Sequence, residues 1–188
     1  RIMISIDFTI CGVEELDREL DDRISHVVSI GDPGWPANPA LDRIAPGRVH
    51  RFRFNDVIAA VEGHDRVPEP KDIVRLLEAG DRIRADDPTH LLVHCQMGVS
   101  RSSAATLILL TQEHPGREME VADRISKRRP QAWPNSLMLE LADAELGRNG
   151  GLIAAGREIR RRTASHRPDF ADYLRGTHRR AEVEELDP

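Results

Sequence analysis

The chain has 188 residues, enough for one domain with a proper core, and a formal net charge of −5 that leaves no electrostatic footprint for nucleic acid. Its two cysteines, Cys11 and Cys95, make neither a disulfide framework nor a four-cysteine metal site, and they point to a reducing compartment. The longest apolar run, Ala104 to Leu110, falls far short of the roughly 20 residues a membrane span needs, and no secretory signal is read, so the expected location is the cytoplasm.

In chain order, "MISIDFTI" (3–10) alternates polar and apolar residues as a half-buried edge strand does. "VEELDRELDD" (13–22) puts Val13, Leu16 and Leu20 on one helical stripe. "HVVSI" (26–30) is nearly all apolar, as expected of a strand covered on both faces, and "VHRFRF" (49–54) alternates again. "PKDIVRLLEAGDRIR" (70–84) repeats apolar residues at helical spacing behind a first-turn proline, and "HLLVH" (90–94) is a second fully apolar strand. Helices follow over 102–111, 118–127 and 136–146. Strands alternating with helices predict a single α/β domain: a central, mostly parallel sheet of about four or five strands flanked by helices. Residues 1–150 are expected to form this unit, with 151–188 an accessory helical extension and frayed tail. The basic clusters Lys127 to Arg129 and Arg160 to Arg162 read as solvated helix ends.

The chemistry concentrates where "HLLVH" ends. In an open α/β sheet, ligands bind beyond the carboxyl ends of the strands, and Cys95 sits at that point. The residues after it lead into a helix whose first amides lack intrahelical partners and carry positive partial charge. A loop of successive N–H groups curling into such a start is an anion cradle, here Gln96, Met97, Gly98, Val99, Ser100 and Arg101. Gly98 lets the backbone bend inward, Arg101 offers a planar fork to two oxygens, and the surrounding positive charge favours the thiolate of Cys95. A lone strand cysteine is most often core. Here the histidine before it, the glycine, the arginine and the flanking strand and helix coincide, and they favour a phosphate-binding loop between a central strand and a helix.

"HCQMGVSRS" (94–102) resembles the His-Cys-x-x-Gly-x-x-Arg-Ser/Thr signature of the cysteine-dependent protein tyrosine phosphatases, and the surrounding text is similar to their compact dual-specificity branch. "RISKRRPQAWPNSLMLELADAEL" (124–146), with Pro134-Asn135 before an apolar helix, resembles the segment that follows the loop helix there. The likeness spans roughly 24 to 147. It implies a phosphomonoester hydrolase with Cys95 as nucleophile, Arg101 binding the equatorial oxygens and Ser102 assisting the departing sulfur. His94 is implied to order the loop. Asn135 either pins the loop or caps its helix. No cofactor and no metal are implied, and the eight histidines show no ligand spacing.

Expelling the leaving oxygen needs a proton donor. The family motif Trp-Pro-Asp is absent: Trp35-Pro36 and Trp133-Pro134 are followed by other residues. Asp86 and Asp87 precede the cysteine strand and fall at its far end, about 16 Å from Cys95 at ~3.3 Å per residue. Asp56 follows "VHRFRFN" and shares the edge of Cys95 if that strand runs parallel. The gap from Asp56 to Cys95 is long, and "VEGHDRVPEP" (61–70) supplies Asp65 as second choice, with Asp72 third. The expected partner is a phosphorylated protein or a small phosphomonoester, not nucleic acid or membrane. Gln96, Met97, Val99 and Ser100 add no cation, which argues against highly charged inositol phosphates. Two rivals use a similar cradle: a rhodanese-like sulfurtransferase and a non-catalytic phosphate-reading module.

Overall fold

The computed structural model of the protein describes residues 2–187, so the outermost residues of the expected spans, 1 and 188, lie outside it. Four strands, β1 (Asp7–Gly12), β2 (His26–Gly31), β3 (Val49–Arg53) and β4 (His90–Cys95), form one sheet in the order β1-β4-β2-β3. Every pairing is parallel, with Gly12 opposite Cys95 and Ser29 opposite His94. All four strands therefore deliver their carboxyl ends to one edge. β4 lies between β1 and β2 and is buried along its whole length, which is why it reads as an unbroken apolar run.

The helices are α1 (Leu16–Glu19), α2 (Pro70–Ala85), α3 (Arg101–Thr111), α4 (Glu118–Arg128), α5 (Ser136–Leu146), α6 (Gly151–His166), α7 (Pro168–Arg175) and α8 (Arg180–Glu184). The strands' period of two divides the core. Phe8, Ile10, Val28, Ile30, Phe52, Leu91, Val93 and Cys95 join the large cluster with α2 to α6, whereas Cys11, Val27, Val49 and Leu92 meet Leu16 and the 3-10 turn Pro39–Arg43. Each aliphatic side chain so buried contributes about 1.5–3 kcal/mol. Helix α2 starts with a capping box between Glu69 and Asp72 around Pro70. Its Gly80 is where α2 and α3 approach: a Cβ there would lie 2.2 Å from Gln112 Oε1.

Several boundaries differ from the sequence expectations. Residues 3–5 form a 3-10 turn, and the edge strand starts at Asp7. The helix expected over 13–22 is a single turn, because the chain returns to extended backbone at Leu20. Three basic residues read as solvated, Arg128, Arg129 and Arg160, are structural. Arg129 and Arg160 have nearly buried guanidinium groups, Arg129 on the signature loop and Arg160 bonded to Pro134 O and Glu185. Arg124 and Arg128 from α4 also cover the β1 edge, donating to the carbonyls of Ile4, Ile6 and Phe8 while stacking on the Phe8 ring. An edge strand so covered cannot template a further strand along those carbonyls.

Beyond Gly147 the described residues form three helices. Leu152, Ala155 and Ile159 of α6 belong to the main core. Ala171 and Leu174 of α7, with Val183 of α8, pack around Trp133, whose ring meets Phe170 edge-on at 5.7 Å.

Candidate active site

The chain leaves β4 at Cys95, turns through 96–100 and enters α3 at Arg101. Five successive carbonyls of that loop point outward into hydrogen bonds. Gln96 O accepts from Val13 N (3.1 Å), Met97 O and Gly98 O from the Arg129 guanidinium (3.1 and 2.9 Å), Val99 O from Trp133 N (2.9 Å) and Ser100 O from Asn135 N (3.4 Å). Among the described residues, the N–H groups of 97–100 meet no protein acceptor. With the carbonyls held outside, the amides face the interior of the loop, the electrostatics of an oxyanion site. Gly98 makes this path possible: its φ is +66°, and a Cβ there would lie 2.3 Å from Cys11 C and 2.4 Å from Gly12 N.

Cys95 lies at the floor, buried, with its Sγ 3.2 Å from the Ser102 hydroxyl. Arg101 is buried as well. Its Nη1 donates to Asp32 Oδ1 (2.7 Å) and Phe54 O (2.5 Å), while its buried Nε has no partner. A guanidinium anchored at one nitrogen keeps its remaining donors for the oxygens of an anion. Cys11 is no rival nucleophile, since burial and then Glu15 push its thiol up to about 12.

The structure brings Asp56 to the loop. Its Oδ1 accepts from Ser100 Oγ (2.7 Å), Asn135 Nδ2 (3.0 Å) and Arg179 Nη1 (3.1 Å). Burial pushes this carboxyl up, but Arg179, Arg101 and the two neutral donors outweigh it and hold Asp56 below the usual carboxylate range. The other carboxylates considered sit elsewhere. Asp65 is exposed, and among the described residues it makes no hydrogen bond or ion pair with 95–101. Asp72 is buried in a bidentate pair with Arg66 at the start of α2, and Asp86 bonds His26 at the far end of the sheet.

Asn135 Oδ1 caps α5 at Met138 N (3.0 Å), while its Nδ2 donates to Asp56 Oδ1 and Val57 O and not to the loop itself. His94 makes no side-chain hydrogen bond. Burial pushes it down to about 4, outweighing the nearby Cys95 amide, so it is a neutral packing residue behind Cys95. Met97 stands exposed at the crest of the loop, and Gln96 lines the wall beside Cys95 with Trp35 and Arg53.

Sequence reasoning missed Asp32, Arg129 and Arg179. Asp32 follows β2 as Asp56 follows β3, so the strand-end argument that selected one could have found the other. Arg129 stood in a run read as solvent-facing. No signal pointed to Arg179, which lies 123 residues from Asp56 in sequence.

The fold, a parallel sheet that delivers a thiol to a loop closed by an anchored arginine, is similar to that of solved protein tyrosine and dual-specificity phosphatases. Among solved structures it is similar to DUSP15 (TM-score 0.53, 18% identity, 86% of this chain and 93% of that one) and to human DUSP28 (0.53, 16%, 77% and 94%). The PTP-2 phosphatase of Cydia pomonella is comparably similar (0.53, 17%, 75% and 86%). By sequence, the chain is 27% identical over 158 residues to protein phosphatase Slingshot homolog 3 of Homo sapiens, and 26% identical to that of Rattus norvegicus. The match takes in 84% of this chain but 21% of each relative, so the chain spans about a fifth of their length. No protein-family model matches it.

Proposed function

We propose that this protein is a cysteine-dependent, metal-independent phosphatase that hydrolyses phosphomonoesters of proteins through a phosphocysteine intermediate. The observation that carries the reading is the loop itself: five carbonyls turned out, the amides turned in, Cys95 beneath and the Arg101 Nε unpaired beside it. The Cys95 thiolate attacks phosphorus in line, forming the S–P bond as the P–O bond to the leaving group breaks. Asp56 gives its proton to the leaving oxygen. Although Asp56 is ionised in the free enzyme at neutral pH, a phosphate dianion in the cradle is a like charge that drives it toward the protonated form. In the second step water attacks phosphorus and passes a proton to Asp56. The S–P bond breaks, and the Ser102 hydroxyl stabilises the returning thiolate.

Asp56, fastened to the loop by Ser100, favours hydrolysis over the two rivals, because neither sulfur transfer nor passive reading has a step for a proton donor there. A phosphoprotein suits the rim: Met97 is 70% exposed, Trp35 is 45% exposed, and Gln96, Met97, Val99 and Ser100 add no cation for further phosphates. The two free cysteines, Cys11 and Cys95, and the need for a thiolate support a reducing, cytoplasmic setting. Among the described residues no helix is long and apolar enough to cross a membrane.

The test is hydrolysis of p-nitrophenyl phosphate in the presence of a chelator. Turnover blocked by vanadate and abolished in Cys95→Ser is expected, with phosphate trapped on Cys95 after an acid quench. Turnover that persists in Cys95→Ser removes the nucleophile assignment, and tight phosphopeptide binding without turnover in the wild type turns the reading to a phosphate-binding module.

A further inference from the structure

Residues 168–187 lie outside the stretch that resembles the family, yet they reach the reacting groups. The turn between α7 and α8 places Arg179 with its side chain 7% exposed. Its Nη1 donates to Asp56 Oδ1 (3.1 Å) and to Ser100 Oγ (2.9 Å), the hydroxyl that itself donates to Asp56. Its Nε is held by Glu182 Oε2 at 2.7 Å. Glu182 is buried and also accepts from Trp133 Nε1 (2.9 Å) and Ser136 N (2.8 Å). Trp133 N in turn bonds Val99 O, so α8 is tied to the signature loop through Arg179 on one side and Trp133 on the other. A guanidinium has the reach and fork to bridge two carboxylates in this way, whereas a point charge does not.

We propose that Arg179 is a positioning residue, which fixes the Asp56 carboxylate against Ser100 at the mouth of the cradle and makes the C-terminal segment part of the active site. This rests on Asp56 being the proton donor. The charged groups facing Asp56 are Arg179 from the α7–α8 turn and Arg101 from α3, with Ser100 and Asn135 as neutral donors, while Glu182 and Cys95 act on Arg179. His178 faces the backbone, its Nε2 lying 3.2 Å from Asp56 O. With one of two cations removed, Asp56 is protonated up to a higher pH. The alkaline limb of kcat/KM, where the donor loses its proton, must then move upward.

The experiment is the pH profile of kcat/KM for p-nitrophenyl phosphate and phenyl phosphate in wild type, Arg179→Met, Arg179→Lys, Asp56→Asn and the Asp56→Asn/Arg179→Met double variant. Arg179→Met is expected to move the alkaline limb up by about one pH unit or more, the size of effect an ion pair at this distance exerts. Arg179→Lys, which keeps the charge, is expected to leave the limb near its wild-type place while slowing phenyl phosphate, whose poor leaving group needs an aligned donor, more than p-nitrophenyl phosphate. Arg179→Gln keeps an amide donor for Glu182 and is read instead if Arg179→Met melts at the assay temperature. In Asp56→Asn the limb is expected to vanish, with no further change in the double variant. A limb that survives in Asp56→Asn overturns the proton donor itself. A limb lost in Asp56→Asn but unmoved by Arg179→Met and Arg179→Gln leaves the donor standing and overturns the role of Arg179. Equal displacement in Lys and Met variants assigns the shift to lost packing and overturns it as well.

Discussion

Asp32 Oδ1 lies 2.7 Å from Arg101 Nη1, so the arginine that closes the cradle is itself held from the end of β2. The aspartate takes Nη1 and leaves Nε without a protein partner.

Removing that anchor leaves Arg101 free to leave the plane that the anion needs. Asp32→Asn is expected to lower kcat/KM for p-nitrophenyl phosphate about 10- to 100-fold, the equivalent of one charge-assisted hydrogen bond of roughly 1.5–3 kcal/mol. Steady-state kinetics with inorganic phosphate as competitor checks it: phosphate binding should weaken in parallel. Unchanged phosphate affinity would show that Phe54 O alone suffices to hold the guanidinium.

Gly98 is the tightest backbone position of the loop. Gly98→Ala meets both a positive φ and the β1 backbone at 2.3–2.4 Å, so the loop must shift. Displacement of the amides predicts a fall in kcat on the order of 10²-fold or more. The strained conformation adds a loss of roughly 1–3 kcal/mol in urea-induced unfolding. Wild-type activity in this variant would mean that the cradle forms without the β1 contact.

Glu182 gathers Arg179, Trp133 and Ser136 N at the base of α8, and it is 2% exposed. Glu182→Ala strands a buried guanidinium and an indole N–H. It is expected to lower the stability measured by urea titration by about 3–5 kcal/mol. A loss below about 1 kcal/mol would show that the C-terminal helices contribute little to the global fold.

The buried histidines set an acid sensitivity. His94 is pushed from 6.5 down to about 4, so between those values the unfolded chain binds a proton that the folded chain does not. The stability gained by keeping the ring neutral is complete above pH 6.5 and is lost as the pH falls through 4, on the order of 3 kcal/mol in total. His26, His50 and His90, also lowered chiefly by burial, add to the same slope. Urea midpoints at pH 7 and pH 4.5 should differ strongly in wild type and less in His94→Asn. An equal difference in both would place the acid sensitivity in the other three histidines.

The elements that carry the chemistry were legible because their signals are local. "HLLVH" reads as a buried parallel strand since both its faces must be apolar, and the residues from His94 to Ser102 follow one another in the chain. That Asp56 lies beside the loop follows from one step of topology, the shared carboxyl edge of parallel strands. Asp65 remained its competitor because spacing along a loop says nothing about which way the loop folds back. The structure separates them through Ser100 and Asn135, both of which reach Asp56.

Sequence alone determined the α/β class and the strand–loop–helix that carries Cys95 and Arg101, which depend on residues adjacent in the chain or on a short repeating pattern. Only the tertiary structure decided what holds the cradle open and its partners in place. Asp32, Arg129 and Arg179 arrive from a strand end, a helix end and a C-terminal turn. Their selection rests on long-range electrostatics: the outward carbonyls and the half-buried Asp56 need donors, the Arg101 guanidinium needs an acceptor, and the fold supplies each from wherever the chain passes close enough.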